Sequence, residues 1–251
     1  MMAPRYWTVR DRLGPAGRRR ARAAVDAVVA PVLGSVRATG DTSRVAVTFD
    51  DGPDADVTPR LLVTLAALDV RCTFFVLVDQ ARARPDLVAA IGSAGHEIAL
   101  HGNDHRRVTE MPHRAAVGYL AAARTELESI AGQPVRFYRP PYGSQSVSSY
   151  VAARRAGLTV VVWSADAADW TDRPLGEVVE AGVGALTDGG ILLLHERLEP
   201  DPLRGAPTTT FDRAELARRT VEGARARGWE PGTVGALIAA GGPRRTAWFR
   251  P

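Results

Sequence analysis

Short apolar runs with the character of β-strands alternate with helical patterns along most of this 251-residue chain. Residues 45–49 form the first run, and residues 58–68 follow as a helix with leucines on one face. We predict further strands at residues 72–78, 96–100, 137–138, 158–163 and 190–195, and further helices at residues 85–94, 113–130, 148–156, 178–186 and 213–227. Strands that alternate with helices indicate right-handed βαβ units and a parallel sheet. At this length the pattern favours one α/β domain, a closed or nearly closed β/α barrel, whose active site lies at the carboxyl ends of the strands.

Five of the predicted strands end in side chains that can ionise or bind a metal ion. These ends carry Asp50-Asp51, His101 with His105, Arg139, Asp166 with Asp169, and His195-Glu196. A turn or a surface histidine explains any one of them. Five at the same edge of one sheet are hard to explain by packing, so we interpret them as one functional site.

The histidine pair and the aspartate pair together indicate a metal site. His101 and His105 are spaced so that both can face one ion from a helical turn. Taken alone, such a pair is more often a surface coincidence, and Asp50-Asp51 is a common turn. Together they predict a catalytic site with two histidines and one carboxylate, because structural zinc sites are closed by four ligands, usually cysteines. Adjacent aspartates at a strand end point to different sides, so one can bind the metal while the other reaches the attacking water.

Five short motifs carry a resemblance to a known family. The chain is similar to the polysaccharide deacetylases, also called NodB-homology proteins or family 4 carbohydrate esterases, over about residues 44–238. The motifs match in order and are Thr48-Phe49-Asp50-Asp51-Gly52-Pro53, His101-Gly102-Asn103-Asp104-His105, Arg139-Pro140-Pro141-Tyr142-Gly143, Asp166-Ala167-Ala168-Asp169-Trp170 and Leu192-Leu193-Leu194-His195-Glu196.

The resemblance implies a fold and a reaction. The fold is a distorted (β/α)7 TIM-like barrel, and the reaction is metal-dependent hydrolysis of an N-acetyl group from an N-acetylated amino sugar. The sugar is part of an oligosaccharide, a polysaccharide or a lipid-linked molecule, and we expect a short or lipid-linked one. The implied cofactor is a divalent metal, usually Zn²⁺, with Co²⁺ as an alternative.

The resemblance also implies a role for each matched residue. The implied metal ligands are Asp51, His101 and His105. Asp50 is the implied general base, and Arg139 holds it ionised and oriented. His195 is the implied general acid, and Asp169 orients it and raises its pKa. The implied substrate contacts are the backbone N–H of Tyr142, which faces the oxyanion, and the side chains of Trp170 and Leu193, which wall the acetyl pocket.

Two other functions stay open at this point. Gly102 stands where the family usually has serine or threonine, and that hydroxyl helps to fix the metal loop. A deformylase of a lipid-linked amino sugar, or a ring-opening amidase, therefore remains an alternative on the same scaffold. A non-catalytic sugar-binding protein would have lost at least one catalytic group, and the sequence has lost none.

The first 43 residues read as a basic N-terminal extension, partly helical, ahead of a deacetylase domain at residues 44–251. Residues 1–40 carry a net charge of +6 and the remainder carries −2, so the folded domain lacks the basic stripe that nucleic-acid binding requires. Valines and leucine recur at helical spacing from Val25 to Val36. This stripe packs on the domain or rests on an anionic membrane, and Pro31 favours packing. The sequence shows no transmembrane run and no clear signal peptide, so we expect a location in the cytoplasm or at the inner membrane face.

Overall fold

A curled parallel sheet lies at the centre of the protein. The computed structural model describes residues 14–200, 205 and 209–250. The strands in chain order are β1 (Ser35–Thr39), β2 (Arg44–Asp50), β3 (Thr73–Leu77), β4 (Glu97–Gly102), β5 (Phe137–Tyr138), β6 (Thr159–Val160), β7 (Ala165–Asp166), β8 (Ile191–His195), β9 (Glu230–Gly232) and β10 (Pro243–Thr246). Seven of them follow the path β6-β5-β4-β3-β2-β8-β7, and β9 adds to β2. All pairs in this sheet are parallel. The sheet is a half-barrel, which confirms the expected α/β fold of the distorted-barrel type.

Helices cover the outside of this sheet. They are α1 (Pro15–Leu33), α2 (Val57–Ala67), α3 (Val78–Ala83), α4 (Pro85–Ser93), α5 (His113–Ala131), α6 (Val147–Arg155), α7 (Leu175–Ala185), α8 (Arg213–Ala226) and α9 (Val234–Gly241). Helix α5 shows why they pack: Leu120, Ala123 and Leu127 recur every three to four residues and are buried. It ends at Gly132, whose φ of 64° is the left-handed conformation that closes many helices.

The central strands are mainly apolar because both of their faces are buried. Every residue of β3 is buried. Phe74 packs into the core between the sheet and the outer helices. Phe75 points the other way, into the half-barrel, where it meets a smaller cluster that includes Ala46 and Ile191. The alternation of two faces along one strand therefore builds two cores.

The element boundaries differ from the prediction where a segment is short. The predicted strand at residues 158–163 is a strand only over Thr159–Val160. Helix α3 was not predicted, because the apolar run of β3 continues directly into it. The segment β9, α9 and β10 was also not predicted, because three short elements in succession leave no periodic pattern to detect.

The N-terminal stripe divides between a helix and a strand. Val36 was expected on the helical stripe, but it lies in β1 and is fully buried. Strand β1 pairs with β10, antiparallel. Within α1, Ala30 is buried, whereas Val28 and Val32 are 78% and 75% exposed. Among the described residues, none of the helices is long and apolar enough to cross a membrane.

Candidate active site

A pocket of about 580 Å³ opens at the carboxyl ends of the strands. The residues that line it include the aspartate pair and both histidines of the expected metal site, together with His195. The expected substrate contacts Tyr142, Trp170 and Leu193 line it as well. The structure therefore brings all of these predicted residues to one cavity, as the topology of a parallel sheet requires.

Asp51, His101 and His105 form a cluster that could hold a metal ion. Their ligand atoms all lie within 4.8 Å of one another. Asp51 Oδ1 is 3.2 Å from His101 Nε2 and 3.4 Å from His105 Nε2. The same Oδ1 is buried and has no hydrogen bond of good geometry among the described residues. A buried, unsatisfied carboxylate oxygen beside two imidazole nitrogens is what a cation would satisfy, so the residues fit the metal that the sequence predicted.

The protonation states of the cluster also suit a metal. His101 Nδ1 lies 2.8 Å from the carbonyl oxygen of Arg139, to which it donates, so Nε2 is the ring nitrogen that faces Asp51. Burial lowers the pKa of His105 to about 4, so its imidazole is neutral at neutral pH. Burial alone would raise the pKa of Asp51, but the neighbouring imidazoles, His101 first, outweigh it and hold that pKa well below its usual range. One anionic carboxylate oxygen therefore faces two imidazole nitrogens.

The backbone that presents these ligands differs from the sequence expectation. His101 belongs to β4 and His105 to the bend after it, so the pair does not lie on a helical turn. Asp50 is the last residue of β2, but Asp51 has a φ of 71°. A left-handed turn therefore separates the two aspartates, where strand alternation was expected.

The loop that carries His101 and His105 is ordered even though Gly102 offers no side-chain hydroxyl. Gly102 has a φ of 137°, and a Cβ there would lie 2.7 Å from the carbonyl oxygen of Asp104, so this backbone requires glycine. The hydroxyl of Tyr119 accepts hydrogen bonds from the N–H groups of Asn103 and Asp104, at 3.0 and 3.2 Å. It lies 3.0 Å from the Asp104 carboxylate, to which it donates. A tyrosine from α5 thus orders the loop.

Asp50 is held at one of its two oxygens. Arg139 Nη1 donates to Asp50 Oδ1 at 2.6 Å and to Thr48 Oγ1 at 2.8 Å. Arg139 is fully buried, and its guanidinium lies 3.9 Å from the ring centroid of Phe75. Asp50 Oδ2 is 3.8 Å from His101 Nε2. One oxygen therefore neutralises a buried guanidinium, and the other faces the cluster of Asp51, His101 and His105.

His195 lines the pocket, and the Asp169 carboxylate lies behind its imidazole ring. Its Nδ1 lies 2.7 Å from Asp169 Oδ1, and its backbone N–H donates to Asp169 Oδ2 at 2.8 Å. Burial alone would lower the pKa of His195, but the charge and hydrogen bond of Asp169 outweigh it and raise that pKa to about 9. Arg213 Nη1 donates to Asp169 Oδ2 at 2.9 Å and to the carbonyl of His195 at 2.7 Å. The imidazole is thus oriented from behind by two buried residues.

Glu196, which follows β8, contacts the loop after Asp51. Its Oε1 accepts hydrogen bonds from the Thr58 hydroxyl and from the backbone N–H of Asp54, the latter at 3.1 Å. Its carboxylate occupies the space that a Cβ on Gly52 would need. Burial raises the pKa of Glu196 to about 7. This side chain therefore ties the residues after Asp51 to the neighbouring strand.

Several contributing residues were not predicted from the sequence. Thr48 and Glu196 lie inside the motifs, so their position beside Asp50 and His195 was a usable signal. Arg213 begins α8, and no nearby pattern distinguishes it from other helix-start arginines. Trp163 and Arg250 also line the pocket and belong to none of the five motifs.

Comparisons with known proteins identify relatives of this chain. A family model described as polysaccharide deacetylase matches residues 37–161. A chitooligosaccharide deacetylase of Sinorhizobium fredii is 33% identical over 174 residues, which cover 69% of this chain and 81% of the relative. A peptidoglycan-N-acetylglucosamine deacetylase of Listeria monocytogenes is 35% identical over 153 residues, 61% of this chain. The match spans only 32% of that relative, about a third of its length.

A solved structure shows the same fold. The structure of a family 4 carbohydrate esterase from Streptomyces lividans in complex with acetate superimposes with a TM-score of 0.67. The match covers 84% of this chain and 100% of the other, at 24% sequence identity. At that identity the likeness supports the fold, and the chemistry has to be argued from the residues of the site.

Proposed function

The chain belongs to the polysaccharide deacetylase family, and from that premise we propose that it hydrolyses the N-acetyl group of an N-acetylated amino sugar. The products are acetate and a free amine. The observation that carries the proposal is the meeting of three functions in one pocket. A cluster able to hold a metal, a carboxylate beside it and a histidine paired with aspartate all line the same cavity.

We propose that Asp51, His101 and His105 hold a divalent cation, Zn²⁺ in preference and Co²⁺ as a substitute. Two imidazole nitrogens and one carboxylate oxygen are the donor set of catalytic zinc sites, which leave a coordination position open. When bound, such a cation polarises the amide carbonyl and lowers the pKa of water. The chain supplies the remaining chemistry from its own side chains.

Asp50 is the general base in this proposal. Its Oδ1 is engaged by Arg139, so Oδ2 is the oxygen that takes a proton from the attacking water. Arg139 holds the carboxylate in one orientation, and the hydroxyl oxygen of Thr48 accepts a second hydrogen bond from the same Nη1 of Arg139. The backbone N–H of Tyr142 would donate to the oxygen of the carbonyl as negative charge develops there.

His195 is the general acid. An amine is a poor leaving group until it is protonated, so a proton must be delivered on its side of the scissile bond. The pKa of His195, raised to about 9 against the effect of burial by Asp169, keeps the imidazole charged at neutral pH. Nδ1 is engaged by Asp169, which leaves Nε2 to donate. Trp170 and Leu193 would enclose the acetyl methyl group.

A panel of N-acetylated glycans and glycolipids tests the proposal. We expect acetate release from at least one sugar, its loss on chelation, and its return when zinc or cobalt is added. The His195→Ala variant should lose turnover because the amine can no longer be protonated. Formate release without acetate release would identify a deformylase. Full activity after exhaustive chelation would contradict the metal role.

We also propose that residues 1–40 bring the protein to an anionic membrane surface. Val28 and Val32 are largely exposed on α1, as an interfacial helix would require. The +6 net charge of these residues would add electrostatic attraction, about 1 kcal/mol for each arginine near the surface. Sedimentation with vesicles that contain acidic lipids should retain the intact protein and lose a variant with Val28→Ser and Val32→Ser, in which the buried strand β1 is kept. Equal retention of both proteins would contradict this role.

A further inference from the structure

The last described residues of the chain return to the active-site pocket. Arg250 and Gln145 form a short antiparallel bridge, in which the N–H of Arg250 donates to the carbonyl of Gln145 at 2.9 Å. Gln145 is buried and follows the Arg139–Gly143 motif closely. The bridge therefore holds Arg250 against the loop that carries Tyr142, and Arg250 lines the pocket.

The guanidinium of Arg250 is supported on one face. It stacks 3.9 Å from the ring centroid of Trp248. Trp248 is only 3% exposed, and its indole N–H donates to the carbonyl of Gly143 at 2.9 Å. Its ring also packs edge-on against Trp163, another residue of the pocket wall. The fixed indole ring of Trp248 thus covers one face of the guanidinium. The ring does not contact the N–H groups at the edge of the guanidinium.

No acid neutralises this guanidinium within the part of the chain that the structure describes. Arg250 makes no side-chain hydrogen bond there and has no carboxylate within 4.0 Å, although it is exposed at the pocket. Arg82 and Arg218 differ in this respect, because each of them binds two acids. An unpaired, stacked guanidinium at the edge of a substrate pocket is suited to bidentate binding of an anion.

A second guanidinium stacks on a residue of the pocket wall. Arg107 stacks 4.2 Å from the ring centroid of Tyr142, which lines the cavity. Among the described residues Arg107 likewise has no carboxylate partner. Tyr142 precedes Gly143, the residue to which Trp248 is hydrogen-bonded, so one loop carries both stacks. Two positive charges therefore flank the segment Tyr142–Gly143.

We propose that Arg250, assisted by Arg107, binds an anionic substituent of the substrate, a carboxylate or a phosphate attached near the acetylated sugar. This inference rests on the proposed deacetylase function and narrows its substrate to anionic amino sugars. A neutral glucosamine oligomer offers these guanidinium groups only hydroxyls, whereas a carboxylate or phosphate forms paired, charge-assisted hydrogen bonds. The anion has two chemical sources: the lactyl ether of a muramic acid unit, or the phosphate that links a sugar to a carrier.

Matched substrate pairs separate charge from shape. The first pair is the disaccharide of N-acetylglucosamine and N-acetylmuramic acid, with its lactyl carboxylate free or methylated. The second pair is N-acetylglucosamine 1-phosphate and the neutral methyl glycoside. The full-length zinc-loaded protein is compared with Arg250→Met and with Arg136→Met. Arg136 is the matched control, because it is an exposed arginine stacked on Phe137 at the opposite end of the strands.

The measured quantity is the ratio of kcat/KM for the anionic member of a pair to that for the neutral member. We expect a ratio of about ten or more in wild type for at least one pair, since a charge-assisted hydrogen bond at a partly exposed site is worth roughly tenfold. Arg250→Met should reduce that ratio to near one, and Arg136→Met should preserve it. The pair that responds identifies the source of the anion. Equal ratios in wild type and Arg250→Met for both pairs would overturn the proposal.

A binding measurement keeps this result independent of turnover. Calorimetric titration of the same four compounds gives the affinity ratio for each pair. If wild type binds the anion preferentially and Arg250→Met does not, the anion site stands even when no acetate is released, and only the deacetylase proposal fails. If acetate is released but neither ratio depends on Arg250, the deacetylase proposal stands and the anion site fails.

Discussion

Replacing Asp169 by asparagine tests the acid role of His195. The carboxylate of Asp169 lies 2.7 Å from His195 Nδ1 and is fully buried. Asparagine keeps the size of the side chain and removes its charge. Burial lowers the pKa of His195, and in the variant the charge of Asp169 no longer compensates for that effect. Arg213, at 2.7 Å from the His195 carbonyl, becomes an unpaired positive charge nearby and lowers the pKa further.

The size of the effect follows from the protonated fraction. With a pKa of about 9, His195 is mostly protonated at pH 8. A return to the ordinary value of about 6.5 leaves roughly 3% protonated at that pH, so we expect kcat/KM at pH 8 to fall by about 30-fold. The alkaline limb of the pH profile should move down by about 2.5 units, while activity near pH 6 falls much less.

Stability gives a second readout with a defined sign. Because folding raises the pKa of His195, the stabilisation by its proton is complete below about pH 6.5 and is lost as the pH rises through about 9. The shift corresponds to roughly 3 kcal/mol, and Asp169→Asn should flatten this dependence in urea unfolding. Asp172→Asn, which changes an exposed acid three residues away, is the control. An unmoved alkaline limb in Asp169→Asn would refute the reasoning.

Three further predictions concern the surroundings of the metal cluster. Arg139→Met leaves the buried Asp50 carboxylate without its partner and should lower the free energy of unfolding by about 3–5 kcal/mol. The double variant with Asp50→Asn should recover part of that loss. Strictly additive costs of the two substitutions would contradict the pairing of Arg139 with Asp50. Gly52→Ala displaces the Glu196 carboxylate from Thr58 and should weaken zinc binding about tenfold or more, measured against a competing chelator. Gly176→Ala, where an added Cβ meets nothing within 4 Å, should leave zinc affinity unchanged, and equal affinities in both variants would contradict the role of Glu196. Zinc at 100 times its Kd should raise the free energy of unfolding of the wild type by about 2.7 kcal/mol in thermal or urea unfolding. His105→Ala should lose most of that stabilisation. An undiminished stabilisation in His105→Ala would place the metal elsewhere.

The fold and the centre of the site were predictable from the sequence for a simple reason. A parallel sheet puts the residues that follow its strands at one edge, so Asp50, His101 and His195 could be expected together before any coordinates were known. The long helix α5 was placed within a residue because its apolar stripe is regular. Those features depend on local pattern and topology.

The supporting residues were not predictable in the same way. Tyr119 reaches the metal loop from α5, and Arg213 reaches Asp169 from α8, through contacts between segments that are distant in the sequence. Arg250 arrives at the pocket through a two-residue bridge that has no periodic signal. The left-handed turn at Asp51 was also missed, because aspartate is compatible with several backbone conformations. Tertiary packing, which no single stretch of sequence encodes, decides these positions.

Acetate release by Asp50→Asn tests whether Asp50 takes the proton of the attacking water beside a bound metal. The variant and the wild type are loaded with zinc, their metal content is determined, and initial rates are measured on the best glycan of the panel. We expect one zinc per chain in both proteins and a rate at least about 100-fold lower in the variant, since asparagine cannot accept the proton of the attacking water. A zinc-loaded Asp50→Asn protein that releases acetate at the wild-type rate would contradict this role of Asp50.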